Sequence, residues 1–99
     1  MSIHLFFSEE CEKVFQIHKT NLINKTSFTE KNRCISAEDY PKFNQELESL
    51  QKQISKNLTK LVRTNRSKNI QEILEPIANN YIKKFLNTVD LSKIEQIKN

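Results

Sequence analysis

Hydrophobic positions recur with helical spacing in three stretches of the chain, and no stretch shows the sustained alternation of a strand. In the first stretch, Ser8 is a suitable N-cap residue, and Glu9 and Glu10 place negative charge near a helix N-terminus. The apolar stripe that follows spans about 100° of a helical wheel and consists of Phe7, Cys11, Val14, Phe15, His18 and Leu22. This pattern predicts an amphipathic helix over residues 8–24. Residues 24–36 are mostly polar, with Phe28 and Ile35 as their large apolar side chains, and we expect a packed loop there.

The second stretch has the most regular pattern. Its apolar positions form a heptad-like, coiled-coil-type seam with one four-residue step where a three is due: Tyr40, Phe43, Leu47, Leu50, Ile54, Leu58, Leu61 and Val62. Ser36 is a candidate N-cap, with Glu38 and Asp39 in the first turn. The pattern predicts a helix over 37–64, although Pro41 favours a start nearer Asp39 or Tyr40.

The third stretch predicts a helix over 69–89. Asn69 and Glu72 have the spacing of a capping box, while Pro76 predicts a kink or a break at Glu75. Ile82 and Leu86 widen the apolar face, which favours burial on two sides. The other apolar positions of this face are Ile70, Ile73, Leu74, Ile77, Tyr81, Phe85 and Val89. Asp90 is a candidate cap for a short last helix over 91–97.

These elements predict an all-α fold formed by a single domain over residues 1–99. A helix of about 28 residues is roughly 42 Å long, whereas a compact chain of this size is only about 33 Å across. We therefore expect an elongated antiparallel three-helix bundle with one long central helix, or four helices if the third breaks at Pro76. Alternatively, another chain covers the overhanging seam.

The 99 residues include no glycine. Phosphate-binding loops, dinucleotide-binding loops and nucleophile elbows depend on glycine for close backbone approach or for positive φ. The commonest enzyme classes are therefore excluded. No catalytic or cofactor-binding residues are predicted, and we expect a non-enzymatic protein.

Four side chains offer soft metal ligands, namely His4, Cys11, His18 and Cys34. Structural zinc ligands come in pairs two to five residues apart, whereas the first three of these lie seven apart, so no metal site is predicted. A disulfide between Cys11 and Cys34 and a Cys11–His18 nucleophile are weaker alternatives. The favoured interpretation places Cys11 in the core and His18 at a core edge or in a partner interface.

The N-terminal residues lack the basic region and the apolar length of a signal peptide. No stretch approaches the roughly 18 apolar residues of a membrane span. We expect the chain in the cytoplasm or the nucleus, neither secreted nor inserted in a membrane.

Sixteen Lys and Arg residues against twelve Asp and Glu give a formal net charge of +4. A basic row formed by Lys52, Lys56, Lys60 and Arg63, with Arg66 continuing it, lies opposite the Leu50, Ile54, Leu58 and Leu61 part of the seam. The row fits a solvated face, an acidic protein partner or a phosphate backbone. No aromatic residues interleave with it to stack on bases.

The function these features predict is that of a small helical adaptor or complex subunit. It would bind another protein, or a second copy of itself, by helix packing along the second and third helices, with the seam and the basic row as its candidate binding residues. A basic nucleic-acid-binding protein is the first alternative. A small inhibitor or immunity-type helical bundle is the second, based on size, charge and helicity alone.

Overall fold

In the computed structural model, which describes residues 2–31, 33–65 and 69–90, three helices follow one another along the chain. They are α1 (Ile3–Lys25), α2 (Tyr40–Thr64) and α3 (Ile70–Leu86). Each helix packs against the other two, and the described residues include no strand. The predicted all-α three-helix bundle is confirmed. Its principal-axis extents of 57, 20 and 18 Å make it elongated, and α2, with 25 residues, is about 38 Å long.

The core lies along the common axis of the bundle. All six stripe positions predicted for α1 are buried, and α2 and α3 contribute fully buried side chains at Phe43, Leu50, Ile54, Leu74 and Phe85. The rings of Phe43 and Phe85 stack at 5.6 Å between centroids, and Phe15 meets Phe85 edge-on at 6.1 Å. The widened apolar face predicted for α3 is only partly buried, because Ile73 and Leu86 remain 46% and 36% exposed.

α1 begins five residues before the predicted start, with Ser2 at its N-cap position and Ser8 inside the helix. Ser8 is the predicted cap because serine suits that position and two glutamates follow it. Burial of Phe7 and the packing of Ile3 against the core favour continuing the helix to the N-terminal side. No glycine or proline interrupts those first residues.

The connection between α1 and α2 is the predicted packed loop. Phe28 and Ile35 each have only 1% of their surface exposed, so both anchor the loop in the core. The hydroxyl of Thr26 donates to the Leu22 carbonyl at 2.6 Å and accepts from the Phe28 N–H at 3.1 Å, which fixes the end of α1.

α2 begins at Tyr40, in agreement with the shift expected from Pro41. Residues 36–39 form a turn in which the Asp39 N–H donates to both the carbonyl and the hydroxyl oxygen of Ser36. Asp39 also ties the loop to the helix, since its carboxylate accepts from the Ser27 N–H at 2.9 Å. That backbone hydrogen bond, more than the nearby Lys42, lowers the pKa of Asp39.

Of the predicted kink or break at Glu75, the break is not formed, because α3 continues through Pro76. Proline removes one helical hydrogen bond and leaves the carbonyl four residues earlier without its donor. Here both Pro76 and Glu72 are exposed, so water can satisfy that carbonyl. Asn69 occupies the N-cap position without a side-chain cap hydrogen bond, so the predicted capping box with Glu72 is not formed.

α3 ends at Leu86, three residues before the predicted end, and Val89 beyond it is still buried. The loop is fastened to this end of the helix through Arg33. The Arg33 side chain donates to the Asn87 carbonyl at 2.6 Å, and its own carbonyl accepts from the Asp90 N–H at 2.8 Å. Arg33 has φ of 52°, a left-handed conformation that usually favours glycine, which this chain lacks. The helix predicted over 91–97 lies outside the described residues.

Candidate functional site

The basic row lies on the face of α2 that points away from the core. Lys52, Lys56, Lys60 and Arg63 are all exposed, and none of them pairs with a carboxylate in the described part of the chain. We call these four side chains the basic face. The predicted continuation of the row at Arg66 lies outside the described residues. The charges of the basic face are therefore compensated by solvent alone in the described structure.

Most other described lysines have a carboxylate partner. The pairs with their N–O distances are Lys13–Glu10 at 3.6 Å, Lys19–Glu30 at 2.8 Å, Lys25–Glu46 at 3.3 Å, Lys42–Asp39 at 3.5 Å and Lys84–Glu12 at 3.9 Å. These five pairs are distributed over all three helices and the loop. Lys31 and Lys83 are also exposed without a carboxylate partner among the described residues, but they lie singly in the loop and in α3, whereas the basic face brings four such cations together on one helix.

The apolar seam predicted to bind a partner is mostly occupied by the chain's own core. Leu50 and Ile54 have no exposed surface, so they cannot reach a partner while the bundle is folded. Leu58 and Leu61 are half-buried and pack against the edge of the core. Sequence periodicity identifies the apolar face but does not reveal whether α1 and α3 or another chain covers it.

A cleft lies beside the basic face, where the start of α1 crosses the end of α2. It has a volume of about 290 Å³ and is lined by Phe6, Glu10, Asn57, Lys60, Leu61 and Thr64. The Phe6 ring is 39% exposed, and Leu61 forms part of the opposite wall. We call it the Phe6–Leu61 cleft. Because Lys60 belongs to both surfaces, the cleft and the basic face form one continuous region.

A set of polar side chains centred on a buried carboxylate lies between α1 and the first half of α2. Glu46 is only 8% exposed and accepts hydrogen bonds from three side chains of α1. These are His18 Nδ1 at 2.8 Å, Asn21 Nδ2 at 3.3 Å and Lys25 Nζ at 3.3 Å. The other ring nitrogen of His18 lies 2.9 Å from Oε1 of Gln53. We call these five residues the His18–Glu46 cluster.

The donors around Glu46 fix its charge state. Burial by itself raises the pKa of Glu46, but the hydrogen bonds from His18, Asn21 and Lys25, with the charge of Lys25, outweigh burial and lower it. An ionised carboxylate only accepts hydrogen bonds, so Nδ1 of His18 carries a proton. Nε2 of His18 faces the side-chain amide of Gln53, so both ring nitrogens have polar partners.

The sequence predicts His18 at a core edge or in a partner interface but does not identify its partners. The signal was present as spacing, because His18, Asn21 and Lys25 follow one another at three and four residues and share one face of α1. Glu46 and Gln53 lie seven apart and share one edge of α2. What the sequence lacks is the register between the two helices, which decides whether these edges meet.

The two cysteines are not arranged for disulfide or nucleophilic chemistry. Cys11 is fully buried, and burial raises the pKa of its thiol to about 11, which disfavours the reactive thiolate. Cys34 is half-buried and is not joined to Cys11. His18 is engaged by Glu46 and Gln53. Within the described ranges, no three His, Cys, Asp or Glu side chains come together as a metal site.

A further cavity of about 440 Å³ lies between α1, the loop and the end of α3, with Lys19, Arg33 and Lys84 in its lining. All three cations already have partners. Lys19 pairs with Glu30, Arg33 donates to a backbone carbonyl, and Lys84 lies near Glu12 and 4.8 Å from the centre of the Phe15 ring. This cavity therefore offers less uncompensated charge than the basic face.

None of the three described helices contains a stretch that could cross a lipid bilayer. No protein-family model matches the sequence, and no curated protein or solved structure matches it. Functional inference for this chain therefore depends on its own residues.

Proposed function

We propose that this chain is a non-enzymatic helical adaptor or complex subunit that binds another protein through the second half of α2 and the adjoining start of α1. The observation that carries the proposal is the adjacency of the basic face to the Phe6–Leu61 cleft. Four cations without carboxylate partners in the described structure lie beside an opening that exposes an aromatic ring.

Protein interfaces combine apolar side chains anchored in pockets with a polar rim that sets orientation and on-rate. The Phe6–Leu61 cleft supplies a place for an anchor, and the basic face supplies one side of a charged rim. The seam residues Leu50 and Ile54 support binding indirectly, because they hold α2 in the bundle. The elongated bundle presents this region along its side, where an open cavity of about 740 Å³ is lined by α2 residues that include all four cations of the basic face.

Site-specific photocrosslinking tests the location of the surface. A benzophenone amino acid replaces Thr59 in protein expressed in its native cells. Thr59 is exposed on α2 and lines the same surface as the four cations of the basic face. We expect one or a few discrete crosslinked protein species that withstand nuclease treatment. The matched control places the same amino acid at Asn80, which is exposed on α3 away from this region. The control should give no such species.

Three outcomes separate the candidate functions. Discrete protein adducts from position 59 alone support the adaptor function, and a self-adduct in the purified protein would identify a second copy as the partner. Adducts that disappear with nuclease would support the nucleic-acid-binding alternative instead. Equal adducts from Thr59 and Asn80, or none from either position, would contradict the proposed surface.

A further inference from the structure

We infer that the partner presents an acidic segment with a large apolar anchor. Its carboxylates pair with the basic face formed by Lys52, Lys56, Lys60 and Arg63, and its anchor enters the Phe6–Leu61 cleft. This inference rests on the proposed function and adds the chemistry of the partner to it.

The charge of the basic face exceeds what the fold itself needs. Cations near a helix C-terminus interact favourably with the helix dipole, but that effect falls off within the last turn. Arg63 lies in the last turn of α2, whereas Lys52 lies about three turns earlier. The dipole therefore does not account for the whole row. No acidic residue occurs between positions 52 and 64, so like charges are left facing solvent.

The length of the row fits a short acidic segment. From Lys52 to Arg63 the helix rises by roughly 16 Å. Glu48 precedes the row on the same exposed face, and Glu10 lines the cleft at the other end. Glu48, which has no ion-pair partner among the described residues, limits the cationic stretch at one end and would repel a phosphate backbone that ran past it, whereas Glu10 is paired with Lys13. A peptide whose few carboxylates lie between Lys52 and Arg63 avoids this repulsion.

The cleft has the dimensions of an anchor site. Its volume of about 290 Å³ lies at the lower limit of ligand pockets, which hold roughly 300–1,000 Å³. It is therefore suited to one large side chain rather than to a cofactor. Its walls include Phe6 and Leu61, so an apolar side chain gains contact with both. Lys60 and Thr64 at its rim connect it with the basic face.

A random peptide library displayed on phage provides a test that assumes no particular partner. Peptides of sixteen residues are selected on the purified 99-residue chain and counter-selected on its Lys56→Glu/Lys60→Glu variant. We expect the enriched peptides to carry excess Asp and Glu together with a Phe, Leu, Ile, Met or Trp. A synthetic copy of the best peptide should bind at least ten times more weakly to that variant, by fluorescence anisotropy.

Matched variants separate the local effect from net charge. The Lys31→Glu/Lys83→Glu variant changes the net charge equally at exposed positions of the loop and α3, and it should bind the peptide as the wild type does. Phe6→Ala should weaken binding several-fold, whereas Leu5→Ala should not, because Leu5 is exposed outside the cleft. Circular dichroism confirms that each variant is folded.

The inference is overturned if no peptide is enriched, if the enriched peptides lack excess acidic residues, or if a 20-base-pair DNA duplex binds more tightly than the best peptide. It is also overturned if both double variants weaken binding equally. Should the peptides fail while Thr59 still crosslinks to a protein, only the partner chemistry is wrong. Failure of both experiments rejects the proposed function as well.

Discussion

Glu46 and Lys56 occupy the same helix in different surroundings. Glu46 is buried against α1, and His18, Asn21 and Lys25 donate to its carboxylate. Lys56 is exposed and pairs with no carboxylate of the described residues. At Glu46 the first half of α2 therefore uses a charge within the fold, whereas the basic face leaves its four charges toward solvent.

This difference separates stability from binding along a single helix. A buried carboxylate is tolerated only while its donors compensate for lost hydration, so changes there should act on the free energy of unfolding. An exposed lysine stays hydrated, and changes there should act mainly on association with a partner. The following predictions test this division, starting with the largest expected effect.

Glu46→Ala should lower the free energy of unfolding by about 3 kcal/mol, because it leaves the buried donors of His18 and Asn21 without their acceptor. Urea denaturation followed by circular dichroism measures the loss. Glu48→Ala is the matched control, since Glu48 is exposed on the same helix and has no ion-pair partner within the described residues. The control should cost less than about 0.5 kcal/mol. Equal losses in the two variants would show that burial of Glu46 is not the cause.

His18 and Glu46 should be energetically coupled. A double-mutant cycle built from His18→Ala, Glu46→Ala and the double variant should give a coupling free energy of about 1–2 kcal/mol. The double variant should lose less stability than the two single changes added together, because neither partner is then left buried alone. Strict additivity would mean that the contact of 2.8 Å between His18 and Glu46 contributes nothing specific.

Acid should destabilise the bundle partly through Glu46. Its pKa is lowered in the fold below the ordinary 4.5, so the unfolded chain takes up this proton more readily. The resulting stability is fully present above about pH 4.5 and is lost as the pH falls through the folded pKa. Asp39, whose pKa is lowered mainly by the Ser27 N–H, adds a contribution of the same sign.

Glu46→Gln isolates this contribution, because glutamine keeps an acceptor oxygen but does not titrate. Thermal unfolding between about pH 6 and pH 3 should show a smaller loss of stability in Glu46→Gln than in the wild type. The gap in stability between the wild type and Glu46→Gln should therefore close toward the acid end, where Glu46 itself is protonated. Parallel curves for the two proteins would contradict a lowered pKa at Glu46.

Residue spacing along the chain predicts the helices and much of the core. It does not predict which side chains of different elements pack together. All six stripe positions of α1 were predicted, because helical periodicity alone defines an apolar face. The start of α1 was missed, and the sequence left continuity through Pro76 open between three and four helices, since each depends on packing or solvent exposure rather than on residue preference. The basic face was predicted because its residues belong to one helix.

The His18–Glu46 cluster was not predicted because it joins residues 28 positions apart in the chain. A carboxylate in the first half of a helix is usually explained by the dipole and by solubility. Only the register of α1 against α2 shows that Glu46 points inward at His18. The same register creates the Phe6–Leu61 cleft, which has no signature in either helix alone.

The smallest predicted effect concerns repulsion within the basic face. Lys56 lies four residues from both Lys52 and Lys60, and like charges at this spacing destabilise a helix by about 0.2–0.5 kcal/mol per pair. Lys56→Gln removes both contacts at nearly equal helix propensity, so the free energy of unfolding should rise by a few tenths of a kcal/mol. Urea denaturation in low salt measures the gain, and about 0.5 M salt should abolish it by screening. Lys83→Gln is the control, because asparagine occupies both positions four residues away, and it should give no gain. A loss of stability in Lys56→Gln would show that this lysine serves the fold, and the division between the two halves of α2 would then fail.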